Sequence, residues 1–187
     1  MKIRSTRLLV PAIATGLVWL SVPRVAHALG PASVEVAARG GIASSPTSDH
    51  PNPLGGGIGA RAGVSIFSLY GGLSVMYYFG GKDSEPGIET SNHTLMYGVE
   101  AGFNLGVPLL TIRPQVGIGD FSVSASCSSD SGPACTGGNN LYIEPGVVAL
   151  LSLGQFLVGA DGDLLFVPNL DNAKVAVVGN LQLGVKF

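Results

Sequence analysis

The sequence predicts an all-β protein: an eight-stranded antiparallel up-and-down transmembrane β-barrel. Three observations lead there. Period-2 alternation recurs in eight segments separated by turn-rich stretches. One row of that alternation is apolar and carries no charge until Asp120, expected at a strand end, and the mid-strand charges all fall in the other. The chain is 46 % hydrophobic and only 12 % charged, about half the ~25 % of ordinary soluble domains. Yet after residue 28 no apolar run reaches the ~20 residues of a spanning helix. In a bilayer, a chain this apolar without such a helix can satisfy its backbone only by closing a barrel.

The first 28 residues read as a secretory signal peptide and are set apart from the barrel domain, 29–187. Lys2, Arg4 and Arg7 form a basic start, "LLVPAIATGLVWLS" an apolar centre, and "AHA" an A-x-A site with cleavage expected after Ala28. Removing them leaves six bases against twelve acids, a net charge of about −6. That balance argues against nucleic acid as a partner.

The strands are expected over 33–43, 56–67, 69–80, 94–106, 109–123, 140–153, 156–167 and 174–187. The first carries Val34, Val36, Ala38 and Ile42 on its apolar row, the second Ile58, Ala60, Ala62, Val64 and Ile66. The third adds Leu69, Leu73, Val75, Tyr77 and Phe79, and the fourth Leu95, Tyr97, Val99, Ala101, Phe103 and Leu105. Leu110, Ile112, Val116 and Ile118 mark the fifth; Leu141, Ile143, Val147, Ala149, Leu151 and Leu153 mark the sixth. The seventh has Phe156, Val158, Ala160, Leu164 and Phe166. The eighth runs Val175, Val177, Leu181, Leu183, Val185 to Phe187, the last residue. A soluble barrel around an apolar ligand cavity would point its charged row at water. A wholly apolar row beside one that mixes charge with glycine fits a lipid-facing exterior around a small polar interior instead.

Connection lengths alternate. "FSL", "GVP" and "GQ" are tight turns; "SSPTSDHPNPL", "GKDSEPGIETSNH", "SASCSSDSGPACTGGN" and "PNLDNA" are long loops. That pattern places the short turns and both termini on the periplasmic side of an outer membrane. Phe103, Phe156 and Phe187 then form one aromatic girdle, and Tyr77, Phe79, Tyr97 and Phe166 the other.

With these features the chain resembles the small eight-stranded outer-membrane β-barrel proteins of Gram-negative bacteria. "IRPQVGIGDF" (112–121) looks like a Pro-containing, glycine-alternating strand of that family, and Phe187 like the terminal aromatic read by the outer-membrane assembly machinery. The usual terminal pattern has a glycine five residues before the aromatic, where this chain has Gln182. The resemblance implies fold and compartment, with the lipid bilayer, lipopolysaccharide and the assembly machinery as partners and a monomeric state. It implies no particular activity.

The interior row holds Glu35, Arg39, Arg61, Glu100, Arg113, Glu144, Asp161 and Asp163. They are expected to form a charge network filling a narrow lumen, because an eight-stranded interior is just wide enough for side chains and buried charges need partners. Glu100 and Arg113 flank a tight turn and are expected about one cross-strand step apart. Glu35 and Lys186 are expected together where the last strand meets the first. Pro114 and Pro145 lie inside strands and are expected at a bulge or strand end. Cys127 and Cys135 share one loop of an exported chain, so a disulfide is expected. No catalytic constellation, metal site or cofactor is expected; His93 stands beside Asn92 and Thr94 with no nucleophile–base–orienter set around it. The function expected is structural or surface-interacting. The alternatives are a narrow porin and, behind it, a lipid-modifying enzyme.

Overall fold

The computed structural model describes residues 32–44, 54–80, 82–85, 88–107, 109–128, 138–168 and 175–187. The signal segment therefore lies outside the described residues. The described elements are all strands: β1 (Ala32–Ser44), β2 (Gly55–Ile66), β3 (Leu69–Tyr78), β4 (Lys82–Glu85), β5 (Ile88–Phe103), β6 (Leu105–Val107), β7 (Leu110–Ser128), β8 (Gly138–Leu153), β9 (Phe156–Leu165) and β10 (Ala176–Lys186). Eight of them form a ring in the order β1-β2-β3-β5-β7-β8-β9-β10, closed by antiparallel pairing of β1 with β10. The two short ones extend hairpins: β4 pairs with β5, and β6 with β7.

The register fixes the barrel's shape. Cα partners lead from Ser33 to Ser65, Tyr70, Gly102, Gln115, Gly146, Asp163 and Val178, and return to β1 at Ala43. One circuit thus climbs from Ser33 to Ala43, a stagger of ten residues. The stagger must be even, because an odd one would exchange inner and outer faces at the seam. With a rise of ~3.3 Å per residue and ~4.8 Å between strands, it tilts the strands by about 40°.

Alternation sorts the side chains as the strands demand. Ile42, Ile58, Leu73, Val99, Val147, Leu181 and Leu183 are among the large apolar residues on the exterior, Leu181 71 % exposed. Phe103, Phe156 and Phe187 stand exposed near the short turns, and Tyr77, Phe79, Tyr97 and Phe166 near the long loops. Phe187 is tied down by its own backbone: its N–H donates to Val34 and its carbonyl accepts from Val34, each at 2.9 Å. The closing strand is therefore bonded through the last residue.

Two differences from the sequence expectation have physical causes. The long stretch after the third strand is not all loop. β4 folds back on Ile88–Ser91, and the β5–β7 ladder continues to Glu89 and Ser128, so these two strands outrun the rest of the ring. Neither proline inserts a bulge, since the pairing offset is constant on both sides of each. Each instead interrupts one ladder where its missing N–H would have donated. Pro114 lies opposite the break between β5 and β6, and Pro145 lies where the β8–β9 ladder lapses between Ile143–Phe166 and Gly146–Asp163. The turn after β2 also places Phe67 at a φ of 54°, a left-handed conformation unusual for a bulky residue. The equivalent position after β8 is Gly154, which adopts φ 68° without steric cost.

The interior is not uniformly polar. Toward the long loops it is filled by Leu54, Met76, Tyr78, Met96, Phe121, Tyr142, Leu165, Val167 and Val178, packed as one apolar cluster. Below that plug lie the charges.

Candidate functional site

The lumen is the place where this fold concentrates chemistry. Glu35, Arg39, Arg61, Glu100, Arg113, Glu144, Asp161 and Asp163 are all buried there, contributed by β1, β2, β5, β7, β8 and β9. They form two layers.

The layer toward the short turns is built on Arg113. Its guanidinium grips Glu35 with two bonds, Nη1 to Oε1 at 2.5 Å and Nη2 to Oε2 at 2.9 Å. Its Nε donates to Asn104 Oδ1 at 2.6 Å, and Asn104 Nδ2 donates to Ser65 Oγ at 2.9 Å. The Arg113 guanidinium sits 3.7 Å from the centre of the Tyr70 ring, with Arg61 5.4 Å from the same centre. Two cations on one ring is a cation–π arrangement in a desolvated site, where such contacts are strongest. Lys186, half-buried, is in register with Glu35.

Glu100 organises the layer above. Its two oxygens part company: Oε1 accepts from Arg39 Nη1 at 3.3 Å, and Oε2 accepts from Arg61 Nη2. Arg61 also donates to Gln115 at 2.7 Å and Gln182 at 3.4 Å. Arg39 Nη2 reaches Asp161 Oδ2 at 2.7 Å and lies 3.7 Å from Asp163. Asn180 Nδ2 donates to the same Asp161 oxygen at 2.6 Å. Glu144, also buried, makes no ion pair among the described residues.

The expected Glu100–Arg113 neighbourhood is not what forms. The ladder puts Gly117 opposite Glu100, and Arg113 is four residues further along β7, beside Asn104. Arg113 therefore bonds across the lumen to β1. Asn180 and Gln182, which the alternation of the last strand places on the lumen row, join the network, and the residues missing from the sequence reading are Tyr70, Asn104 and Gln115. All stand on the inner row, so the alternation marks them as lumen residues; only the register tells which charge each one serves.

Glycine makes room for these side chains. A methyl at Gly72 would meet the Tyr70 ring carbon at 2.8 Å and the Ala62 carbonyl oxygen at 2.9 Å, and backbone cannot step aside. Gly71, one residue away, has nothing within 4 Å of an added Cβ. Gly72→Ala is therefore expected to cost about 1–3 kcal/mol, the usual range for overpacking, with Gly71→Ala near neutral. Urea unfolding of the two variants in the same detergent would reveal the contrast.

His93 lies on the exterior of β5, its ring stacked on Tyr77 at 5.8 Å and its backbone in register with Ser124. Cys127 lies in β7, but Cys135 and the rest of 129–137 fall outside the described residues, so the expected disulfide does too. Among the described residues no three His, Cys, Asp or Glu side chains converge as a metal site.

No family model and no curated protein matches the chain. Solved structures do. The N-terminal β-barrel domain of Pseudomonas aeruginosa OprF superposes with a TM-score of 0.59 at 17 % identity, over 83 % of this chain and 97 % of that one. The fold is that of the small eight-stranded outer-membrane β-barrels. A major outer membrane protein from Thermus thermophilus matches at 0.55 and 12 % identity, over 83 % and 98 % of the two chains. Ail, the attachment invasion locus protein of Yersinia pestis, matches at 0.54 and 12 % identity, over 83 % and 97 %. At these identities the likeness is one of fold.

Proposed function

We propose that the protein is an integral outer-membrane barrel that serves envelope structure and surface interaction, without a conducting lumen. The observation that carries this reading is the filling of the interior. A bonded charge layer occupies its middle, and a packed apolar cluster occupies its long-loop end. An ion would have to break the first and dehydrate through the second.

In this reading the exposed apolar belt meets lipid, the short turns and both termini face the periplasm, and the long loops meet lipopolysaccharide and the outside. The signal segment directs export, and Phe187 serves the assembly machinery. The barrel acts without catalysis; His93 contributes an interfacial ring beside Tyr77. The protein works as a monomer, since the closed ring leaves no strand edge that needs a partner.

Planar-bilayer recording tests the proposal. Wild type and Arg61→Ala are both expected to give silent traces. Discrete conductance steps in the wild type, altered in Arg61→Ala, would replace this reading with that of a narrow porin.

A further inference from the structure

The charges of the lumen do not balance, and the imbalance is confined to one compartment. Near the short turns Arg113 answers Glu35. Between that pair and the apolar plug stand two guanidiniums, Arg39 and Arg61, against four carboxyl groups, Glu100, Glu144, Asp161 and Asp163. Arg61 and Glu100 satisfy each other, and Arg39 spans Glu100 and Asp161. The excess therefore falls on the β8–β9–β10 wall.

The same wall holds unanswered acceptors. Asp161 Oδ1, both oxygens of Asp163 and Asn180 Oδ1 are buried without a donor. The Asp161 and Asp163 side chains are 0 % exposed, and Asn180 as a residue is 4 % exposed. The orphan donors of the compartment, Arg39 Nε, Arg61 Nε and Gln182 Nε2, can be met by water. Water can also donate to the orphan oxygens, but it brings no charge. Leaving two negative charges uncompensated in a closed interior is far costlier than leaving a hydrogen bond unmade.

We propose that this compartment is a binding site for small monovalent cations, protons or alkali ions, taken up by the oxygens of Asp161, Asp163 and Asn180. A divalent ion is not proposed, because no three Asp, Glu, His or Cys side chains converge to hold one among the described residues. The titratable and charged groups buried around it in the lumen are Arg39 on β1, Arg61 on β2, Tyr70 and Tyr78 on β3, Glu100 on β5, and Tyr142 and Glu144 on β8. β7 offers uncharged Gln115, and β10 offers Gln182 beside Asn180.

The test is urea unfolding of the folded full-length barrel in a zwitterionic detergent. Sodium, potassium and tetramethylammonium chloride are compared at equal ionic strength, with a pH series in each. If alkali ions occupy the site, sodium or potassium lowers the unfolding constant about tenfold at ten times its Kd, and tetramethylammonium does not. If protons occupy it, the barrel loses stability as pH rises in all three salts alike, because the folded state then binds more protons than the unfolded chain. In both cases the isosteric pair Asp163→Asn with Glu144→Gln removes the excess charge and abolishes the dependence; should the pair fail to fold, Asp163→Asn alone reduces it. Wild-type unfolding indifferent to both cation and pH would overturn the proposal, as would a dependence that survives the substitutions unchanged.

Discussion

Replacing Arg39 with methionine is expected to destabilise the barrel by about 3–5 kcal/mol, the range for breaking a buried ion pair by removing one partner. The side chain it removes touches three acids: Glu100 at 3.3 Å, Asp161 at 2.7 Å and Asp163 at 3.7 Å. Methionine keeps much of the apolar stem, so the loss is chiefly of charge and its five donors rather than of volume. What remains is one guanidinium against four carboxyl groups in a space with no bulk water. Arg39→Lys should fall between the two, keeping the charge but losing the fork that serves Glu100 and Asp161 together. Combining Arg39→Met with Asp161→Asn should recover part of the loss, and the double-mutant cycle measures how much of it belonged to the pair. The readout is the urea midpoint of the micelle-embedded barrel. A cost under about 1 kcal/mol would mean that the lumen screens its charges as a surface does.

Why Arg39 holds this position shows what the sequence can and cannot disclose. Alternation alone tells that Arg39, Glu100 and Asp161 face inward, since a period of two leaves only two faces. It does not tell which of them meet. A slip of two residues between strands preserves every inner and outer assignment and changes every cross-lumen contact. The ten-residue stagger around the ring is what carries Arg113 to Glu35 and leaves Glu100 to Arg39 and Arg61. That stagger is the sum of eight registers set by turns and packing, and no single segment states it. The apolar plug escapes for a different reason. Met76, Tyr78, Met96, Leu165 and Val178 stand on the polar row, so a two-row reading passes over them. The available signal is the loss of alternation at strand ends beside long loops, in "VMYYF", "LMY", "LLF" and "VAVV". Where both rows turn apolar together, the inner row is packing against itself rather than facing water. The terminal aromatic, by contrast, is legible because its strand alternates to the end, and the structure bonds Phe187 to Val34 on both of its backbone groups.

The lipid-facing assignment of the outer row has a sharper test than solubility. Leu181 is at mid-height on β10, in register with Gly40 on one side and Ala160 on the other, and its side chain points outward. Leu181→Arg should cost about 2–4 kcal/mol when the barrel unfolds from a bilayer, because a guanidinium there must be drawn through hydrocarbon or pull water after it. Phe67 is as exposed, at 76 %, but sits in the turn between β2 and β3. Phe67→Arg should cost only about 0–1 kcal/mol in membrane terms, since its charge can reach headgroups. Both substitutions expose the same charge on the same outer surface, so a barrel whose exterior faced water would show no such gradient. Equal costs at the two positions, measured in lipid vesicles, would place the apolar belt outside the hydrocarbon. A steep difference fixes its centre near Leu181, and with it the depth at which Arg39, Glu100 and Asp161 are enclosed on the other side of a wall one strand thick.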